Sequence, residues 1–392
     1  MELNKYKLGE CLELQRGYDL TSSQMQGGKV AVVGSNGIIG YHNSERGNSP
    51  CITVGRSGSV GKVHYYEQPT WAHNTTLFLK DFKGNNPKYL YYLLKNLHLD
   101  NTFEKGSSVI PSLDRNLVHS LVVPFHKDIN DQRKIVTVLS AIDRKIELNR
   151  QINDNLEAMA KQLYDYWFVQ FDFPNEEGKP YKSSGGAMVW NENLKREIPQ
   201  GWVVEKMGKC TNVLLGGTPD TNDNSLWGNG YNWLNSGEVA EFPILKSEKN
   251  ITPKGLEKSA TVLAPKGSVT LSITRHLRPS ILCIDACINQ SVVAILENDK
   301  ISKEYIYPLL NRDIPRLMSL RTGAQQPHIN KETVEAINVV LPPANIMGAY
   351  INKAESIYNA IFNNAKEVEE LTKQRDELLP LLMNGQASVN SD

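Results

Sequence analysis

The chain has 392 residues, with 43 basic and 43 acidic side chains and therefore no formal net charge at neutral pH. This length predicts two domains with their own hydrophobic cores, and the balanced charge excludes binding to a polyanion through overall attraction alone. Five cysteines, an odd number, favour reduced thiols and a cytoplasmic protein. Cys283 and Cys287 lack a His or Cys pair to complete a tetrahedral site, so we expect no metal. No apolar run reaches membrane-spanning length, and no membrane contact is expected.

The first 129 residues predict a mixed α/β domain. Short β-branched runs at 28–40, 51–63 and 117–124 are broken by Gly and Pro, as strands and their turns are, whereas 87–99 has a helical pattern. We therefore assign residues 1–129 to a first recognition domain with Gly-rich loops at its surface.

A long helix is predicted next, over residues 130–171. Apolar positions alternate by four and three, which is the spacing of a coiled-coil seam. At 1.5 Å per residue a helix of about 38 residues is about 57 Å long. The seam positions are Ile135, Leu139, Ile142, Ile146, Asn149, Asn153, Leu156, Ala160, Leu163 and Trp167.

A Pro-, Gly- and Ser-rich linker at 172–200 follows, and its length indicates that it packs on another part of the protein. Residues 201–344 then repeat the mixed pattern of the first domain. Their strand-like runs are 261–273, 281–284 and 292–296, and their helical run is 303–320. These residues form the predicted second recognition domain.

A second long helix is predicted over 345–385, before a tail at 386–392. Pro380 should kink or end this helix, and Gly385 suits its terminus. Asn149 and Asn364 occupy the same place in the two seams, which favours a role in helix register; the alternative is that each is a tolerated polar residue. The seam positions are Tyr350, Ala354, Ile357, Ile361, Asn364, Val368, Leu371, Arg375, Leu378 and Leu382.

The two halves of the chain thus repeat one design. Two equal amphipathic helices pack most simply on each other, so we predict an antiparallel pair that joins two similar α/β domains with pseudo-two-fold symmetry. Two separate docking helices are the alternative. The paired segments are 8–11 with 207–210, 58–60 with 267–269, 73–74 with 288–289, 89–94 with 305–310, and 106–111 with 323–327.

Catalytic motifs are missing from the sequence. Gly61-Lys62 is followed by Val63 and makes no phosphate-binding loop, and Pro342-Pro343 lacks the neighbours that an adenine methyltransferase needs. Glu177-Gly178-Lys179 lacks the upstream carboxylate of a nuclease. The pattern predicts a protein that recognises a long ligand at two places without chemistry of its own.

Five stretches have a distinctive residue order: DQRKI at 131–135, AKQLYDYWFV at 160–169, IPQGW at 198–202, TGAQQPHI at 322–329 and LLPLLMNG at 378–385. They resemble the specificity subunit of Type I restriction–modification systems. Two places depart from that family, because the loop at 106–111 contains no Gln and the second long helix opens with NIM at 345–347.

The resemblance implies a non-catalytic subunit that recognises an interrupted, asymmetric site on double-stranded DNA. It further implies that the helices dock two methyltransferase subunits, to which restriction subunits are added. S-adenosylmethionine, ATP and Mg²⁺ would bind to those partners and not to this chain. Two alternatives stay open: a fragment of a self-contained restriction–methylation enzyme, and a coiled-coil scaffold that joins proteins.

Base edges require hydrogen-bonding side chains on exposed loops, with Arg suited to guanine and Asn or Gln suited to adenine. In the first domain we select Arg16, Tyr18, Ser35, Asn36, Arg56, Ser57, Asn74, Ser107 and Ser108. In the second we select Thr218, Asn235, Ser236, Arg275, His276, Gln290, Gln325, Gln326 and His328. Phosphate contacts are predicted for Lys105, Arg115, Lys266, Arg278, Arg321 and Lys331.

Overall fold

A computed structural model describes residues 2–100, 112–323, 325 and 327–389. The chain divides into two compact units. Unit 1 combines the described residues up to Ile146 with those from Glu370 onward, and unit 2 is Glu147–Glu369. Each long helix contributes one of its ends to each unit.

Unit 1 is a mixed α/β domain. Its strands are β1 Asn4–Lys7, β2 Glu13–Arg16, β3 Val30–Gly34, β4 Gly37–His42, β5 Cys51–Gly55, β6 Val63–Tyr66, β7 Thr70–Ala72, β8 Thr76–Asp81 and β9 Val122–Phe125. Its helices are α1 Leu8–Cys11, α2 Pro87–Asn96, α3 Arg115–Ser120 and the beginning of α4 Ile129–Tyr164. One sheet has the order β2-β8-β5-β6, a second has the order β4-β3-β7, and β1 pairs with β9.

Unit 2 has the same kinds of element. Its strands are β10 Met188–Asn191, β11 Arg196–Pro199, β12 Val203–Lys206, β13 Val213–Leu215, β14 Trp227–Leu234, β15 Lys249–Ile251, β16 Val262–Ala264, β17 Val269–Ser272, β18 Pro279–Ile281, β19 Ala286–Ile288, β20 Val292–Ile295 and β21 Asn338–Leu341. Its helices, besides the end of α4, are α5 Met207–Cys210, α6 Pro253–Glu257, α7 Lys303–Ser319, α8 Lys331–Glu335 and the first part of α9 Ala344–Met383.

The strand order of unit 2 repeats that of unit 1. Its first sheet, β13-β20-β17-β18, corresponds strand by strand to β2-β8-β5-β6. Its second sheet, β15-β14-β19-β16, corresponds to β4-β3-β7 with one strand added. The inner pairs β3 with β7 and β14 with β19 are parallel in both units. The predicted duplication of a mixed α/β domain is therefore confirmed.

Two of the paired segments were wrong in detail. Residues 58–60 lie in the connection between β5 and β6, whereas 267–269 lead into β17, the equivalent of β5. Ala72 pairs with Val33 as Ile288 pairs with Leu234, so His73 corresponds to Asn289 and not to Ile288. A match of two or three residues is too short to fix register when loop lengths differ.

The seam helices form where the spacing predicts them. In unit 2, the Asn149 side chain donates to Glu367 at 2.8 Å and Asn153 donates to the Ile361 carbonyl at 3.1 Å, so the two helices run antiparallel there. In unit 1, Arg375 pairs with Asp143 at 3.2 Å. Helix α9 continues past Pro380 for three residues, and Gly385 follows its end with a φ of 68°.

The core of each unit surrounds the helix that follows its sheets. Helix α2 begins at Pro87 because the Asn86 side chain accepts from the backbone of Tyr89 and a proline suits the first helical position. Its buried face includes Tyr89, Leu90, Leu93 and Leu94, and the equivalent helix α7 buries Tyr305, Ile306 and Leu310. Burying each such side chain stabilises the fold by about 1.5–3 kcal/mol.

The linker at 172–200 packs as expected. It forms the hairpin of β10 and β11, and Phe173 and Ile198 are buried in the core of unit 2 beside Trp202. One strand prediction was partly wrong, because residues 117–120 belong to α3 and only Val122–Phe125 form a strand. Asp114 explains the difference, since its side chain caps α3 by accepting from the backbone of Asn116 at 2.6 Å.

Candidate nucleic-acid interface

Polar loops of unit 1 meet at one edge of its second sheet. Because β3 and β7 are parallel, their carboxyl ends lie together, and the end of β5 lies beside them. The backbone of Ser35 donates to the Thr75 hydroxyl at 3.3 Å, and Arg56 donates to the Asn74 carbonyl at 3.4 Å. We call this edge recognition surface 1, and it comprises Arg16, Asp19, Ser35, Asn36, Arg56, Ser57, Lys62, His64, His73, Asn74 and Thr75.

Recognition surface 1 is held by hydrogen bonds between its loops. The Asn74 side chain donates to Asp19, which also pairs with Arg16 at 3.6 Å. Lys62 donates to the Asn36 side chain at 2.7 Å. The surface therefore carries three basic groups and one carboxylate beside several neutral hydrogen-bonding groups, a composition suited to base edges and phosphates together.

Unit 2 places a different set of side chains at the equivalent edge. The backbone of Ile273 donates to the Ser291 carbonyl as Arg56 does to Thr75, and Thr218 bonds to Gln290 where Asp19 bonds to Asn74. Arg321 donates to the Arg275 carbonyl at 2.7 Å. We call this edge recognition surface 2, and it comprises Thr218, Ser236, Arg275, His276, Arg278, Gln290, Arg321, Gln325 and His328.

The loop of Arg275 takes an unusual backbone conformation. Arg275 has a φ of 55°, at the place where unit 1 has Gly58 with a φ of 84°. A non-glycine residue there is strained by about 1–3 kcal/mol. Its backbone amide donates to the Pro327 carbonyl at 3.0 Å and Thr274 bridges to His328, so the neighbouring segment fixes the backbone that carries the exposed Arg275 side chain.

Two glycines let the loops cross at these edges. A Cβ on Gly17 would lie 2.1 Å from the His73 carbonyl oxygen, and a Cβ on Gly216 would lie 2.1 Å from the Ile288 carbonyl oxygen. No side chain fits at either place. Sequence reasoning missed both glycines and also Asp19, Lys62, His64, His73 and Thr75, although the common offset of 199 residues from α1 and α5 pairs Gly17 with Gly216.

Two predicted residues have packing roles. Tyr18 lies in an aromatic cluster, with its ring 5.8 Å from Phe78 and with the Arg46 guanidinium 5.0 Å above it. The Asn235 side chain accepts from the backbone of Gly237 at 2.7 Å and of Glu238 at 3.2 Å. Tyr18 is half-buried, and base recognition by either residue stays a prediction.

The predicted phosphate contacts fall in different places. Arg115 and Lys331 are the first residues of α3 and α8, which begin just after segments bonded to Arg56 and Ile273. Lys266 precedes β17 and its backbone donates to Asp285 at 2.7 Å, so it lies at the opposite end of that strand from Arg275. Lys105, Ser107, Ser108 and Gln326 lie outside the described residues.

Burial determines the charge of His64, one of the two histidines of recognition surface 1. Burial lowers the pKa of His64, and the neighbouring Lys62 lowers it further, although a bond to the Ser35 carbonyl opposes both. The imidazole is therefore neutral at pH 7; because its Nε2 donates to the Ser35 carbonyl, its Nδ1 is an acceptor. All five cysteines are buried, and burial raises the pKa of the Cys11, Cys210 and Cys287 thiols to about 11.

Asn149 and Asn364 lie between the helices and bond to different partners. Asn149 is buried and donates to Glu367, whereas Asn364 donates to the Asn153 side chain at 3.0 Å. These bonds make a polar layer between the two helices, which is a geometry that fixes register. A register role for Asn149 and Asn364 remains a prediction.

Within the part of the chain that the structure describes, no group of three or more His, Cys, Asp or Glu side chains could hold a metal ion. The same residues contain no helix long and apolar enough to cross a membrane.

Two duplicated α/β modules, each with a polar edge of different composition, define a class of protein that recognises one ligand at two places. The family model of the Type I restriction modification DNA specificity domain matches residues 2–158 and 199–375, and the chain belongs to that family.

Curated relatives agree. The specificity subunit of the Type I restriction enzyme MjaIX of Methanocaldococcus jannaschii is 25% identical over 312 residues, which cover 77% of this chain and 69% of that protein. The HindI specificity subunit of Haemophilus influenzae is 23% identical over 358 residues, covering 76% and 77%.

A solved structure has a similar fold. The crystal structure of the S subunit of a Type I restriction–modification system from M. genitalium has a TM-score of 0.59 at 16% identity and covers 97% of this chain and 96% of that one.

Proposed function

We propose that the chain is the non-catalytic subunit that recognises DNA sequence in a Type I restriction–modification complex. The observation that carries the proposal is that two units with one strand order present different side chains at the same edge. Recognition surfaces 1 and 2 would each bind one half of an interrupted site. Because the two sets of side chains differ, the half-sites differ and the full site is not palindromic.

The chemistry of the two surfaces supports this assignment. Arg275 and Arg56 offer the paired donors that suit guanine, and Gln290 and Asn74 offer the amide that suits adenine. Arg115 and Lys331 would contact phosphates at the edge of each surface. Each surface therefore combines groups that position the duplex with groups that distinguish its bases.

An exposed stripe on α4 and the turn that follows it suits a partner protein. Leu148, Ile152, Met159 and Tyr166 lie on one helical face and are between 36% and 55% exposed. Such a stripe is typical of a protein interface. We propose that two methyltransferase subunits dock on the helices and that restriction subunits join them. S-adenosylmethionine, ATP and Mg²⁺ would bind to those subunits, in the cytoplasm.

Mapping of methylated adenines tests the proposal. The chain is co-expressed with its cognate methyltransferase subunit in a host that lacks other adenine methylation, and a host with the methyltransferase alone is the control. We expect one interrupted motif with two unlike halves, present only when both chains are made. A contiguous or palindromic motif, or methylation that does not require this chain, would refute it.

A further inference from the structure

Unit 2 contains a basic cavity apart from recognition surface 2. The cavity has a volume of about 470 Å³, which is within the range of roughly 300–1,000 Å³ for small-molecule sites. Four basic side chains and a single acidic one line it, together with two asparagines and the rings of Tyr164 and Phe168. The charged residues are Arg196, Lys206, Arg312, Arg316 and Asp313.

The basic groups come from separate elements and converge on the cavity. Arg312 and Arg316 are one turn apart on the same face of α7. Lys206 ends β12 and is held by bonds to the Ala336 carbonyl at 3.1 Å and the Asn338 side chain at 2.7 Å. Arg196 begins β11, where it covers the Phe171 ring at 4.4 Å and donates to the Val169 carbonyl.

The positive charge of the cavity is only partly compensated. Asp313 binds Arg316 through two bonds, at 2.8 and 2.5 Å, and so neutralises one of the four cations. Arg312 has no ion pair with a described residue. Burial lowers the pKa of Arg196, and the nearby Arg312 lowers it further. Lys206, Arg312 and Arg316 are exposed, so water and salt screen much of their mutual repulsion, and an anion between them would relieve the remainder.

Unit 1 offers no equivalent of this cavity among its described residues. Lys7 stands in the place of Lys206, but Asn96 and Asp100 stand in the places of Arg312 and Arg316. The hairpin that supplies Arg196 belongs to the linker and occurs once. The cavity is therefore not part of the duplicated design, and recognition of a second half-site does not explain it.

We infer that this cavity binds a phosphate group. One guanidinium group can bind two oxygens of the same phosphate, and the two asparagines can donate further hydrogen bonds to a bound ligand. The phosphate belongs either to a small organic phosphate or to the backbone of bound DNA. Helix α8 begins at Lys331, and Ala336, which directly follows it, lines the cavity. The two residues are about 7.5 Å apart along the helix axis, so DNA bound to recognition surface 2 would lie near the cavity. Only the DNA source rests on the proposed function.

Titration of the full-length chain with pyrophosphate tests the small-ligand source. We expect saturable one-site binding, absent in a sodium chloride titration of equal ionic strength. The double variant R312Q/R316Q should weaken it at least about tenfold, or about 1.4 kcal/mol. The matched control is R150Q, an exposed arginine on α4. The single variant R312Q removes no described bond, so it should keep the circular dichroism spectrum of the folded chain. Weaker pyrophosphate binding by this folded variant would then report loss of the site and not loss of the fold.

The second arm uses the assembled complex and a duplex with its methylation motif. If the cavity holds a backbone phosphate, R312Q should lower the salt dependence of binding, the slope of log K against log salt, by about 0.9 per phosphate lost. Base preference should not change. The proposal is overturned if R312Q changes neither pyrophosphate binding nor the salt slope on DNA. Weaker pyrophosphate binding by R312Q would indicate a small organic phosphate, and a smaller salt slope would indicate the DNA backbone.

Discussion

Unit 1 and unit 2 share one strand order, to which unit 2 adds further elements. The shared part includes the parallel pairs, the glycine crossings and a polar bond between Asp19 and Asn74 or between Thr218 and Gln290. The added part of unit 2 is a fourth strand, β16, and the hairpin that closes a basic cavity. Backbone geometry is thus kept where side-chain chemistry varies, so that the position of a recognition surface is independent of its specificity.

The largest expected effect tests the shared crossings. Gly17→Ala and Gly216→Ala should each lower the free energy of unfolding by about 3 kcal/mol or more, because a Cβ would overlap a carbonyl oxygen. Urea unfolding measures the change. Gly348→Ala is the control: nothing lies within 4 Å of a Cβ there, and alanine in the helix should stabilise by about 0.5–1 kcal/mol. If only one crossing is sensitive, the two edges are not equivalent.

A second test separates the specificities of the two surfaces. Asn74→Ala and Gln290→Ala should each weaken binding to one half-site by about 1–3 kcal/mol, since each removes an amide suited to adenine. Binding of the assembled complex is measured on duplexes altered at one base pair in one half at a time. Each variant should lose discrimination in its own half only. Equal weakening on every duplex would assign the residue to the phosphate backbone.

The smallest expected effect concerns unit 1 alone. Because burial depresses the pKa of His64, the folded chain favours its neutral form. Stability should be fully present above the unfolded pKa near 6.5 and should fall as the pH drops below it, since the unfolded chain then binds more protons. His64→Gln should reduce that slope in thermal unfolding between pH 7 and 5. His119, whose pKa burial also lowers, accounts for part of the remaining slope. An unchanged slope would contradict this role of His64.

The elements that the sequence predicts best are those with local causes. The seam spacing predicts α4 and α9 because each seam residue reports on the same helical face, and Pro380 and Gly385 lie where the second helix ends. The packing of the linker also follows from its length and its aromatic residues. Residues 117–120 were predicted as a strand because apolar and β-branched residues occur in helices as well as in strands. The side chain that starts the helix, Asp114, lies outside the apolar run at 117–124.

The recognition surfaces could be predicted as groups but not residue by residue. Ser35 and Asn74 follow the two strands of a parallel pair, so their meeting follows from that pairing, whereas Arg56 follows β5 of the other sheet and joins them through its bond to the Asn74 carbonyl. A loop sequence does not reveal whether a side chain turns inward, and so Tyr18 and Asn235 were selected although both pack against their own unit. Lys266 lies at the opposite end of β17 from Arg275, and a phosphate contact by Lys266 stays a prediction. The basic cavity combines residues from 164 to 340, and nothing in their spacing predicts it.

The division of unit 1 into two stretches of chain has a consequence for its synthesis. Leu379, Leu382 and Met383 are buried in the same core as Leu8 and Tyr89, and the Leu382 carbonyl bonds to the buried His126 ring at 3.1 Å. The ribosome makes these residues after the whole of unit 2. Unit 1, whose translation starts first, therefore completes its core last and stays partly assembled while unit 2 is made.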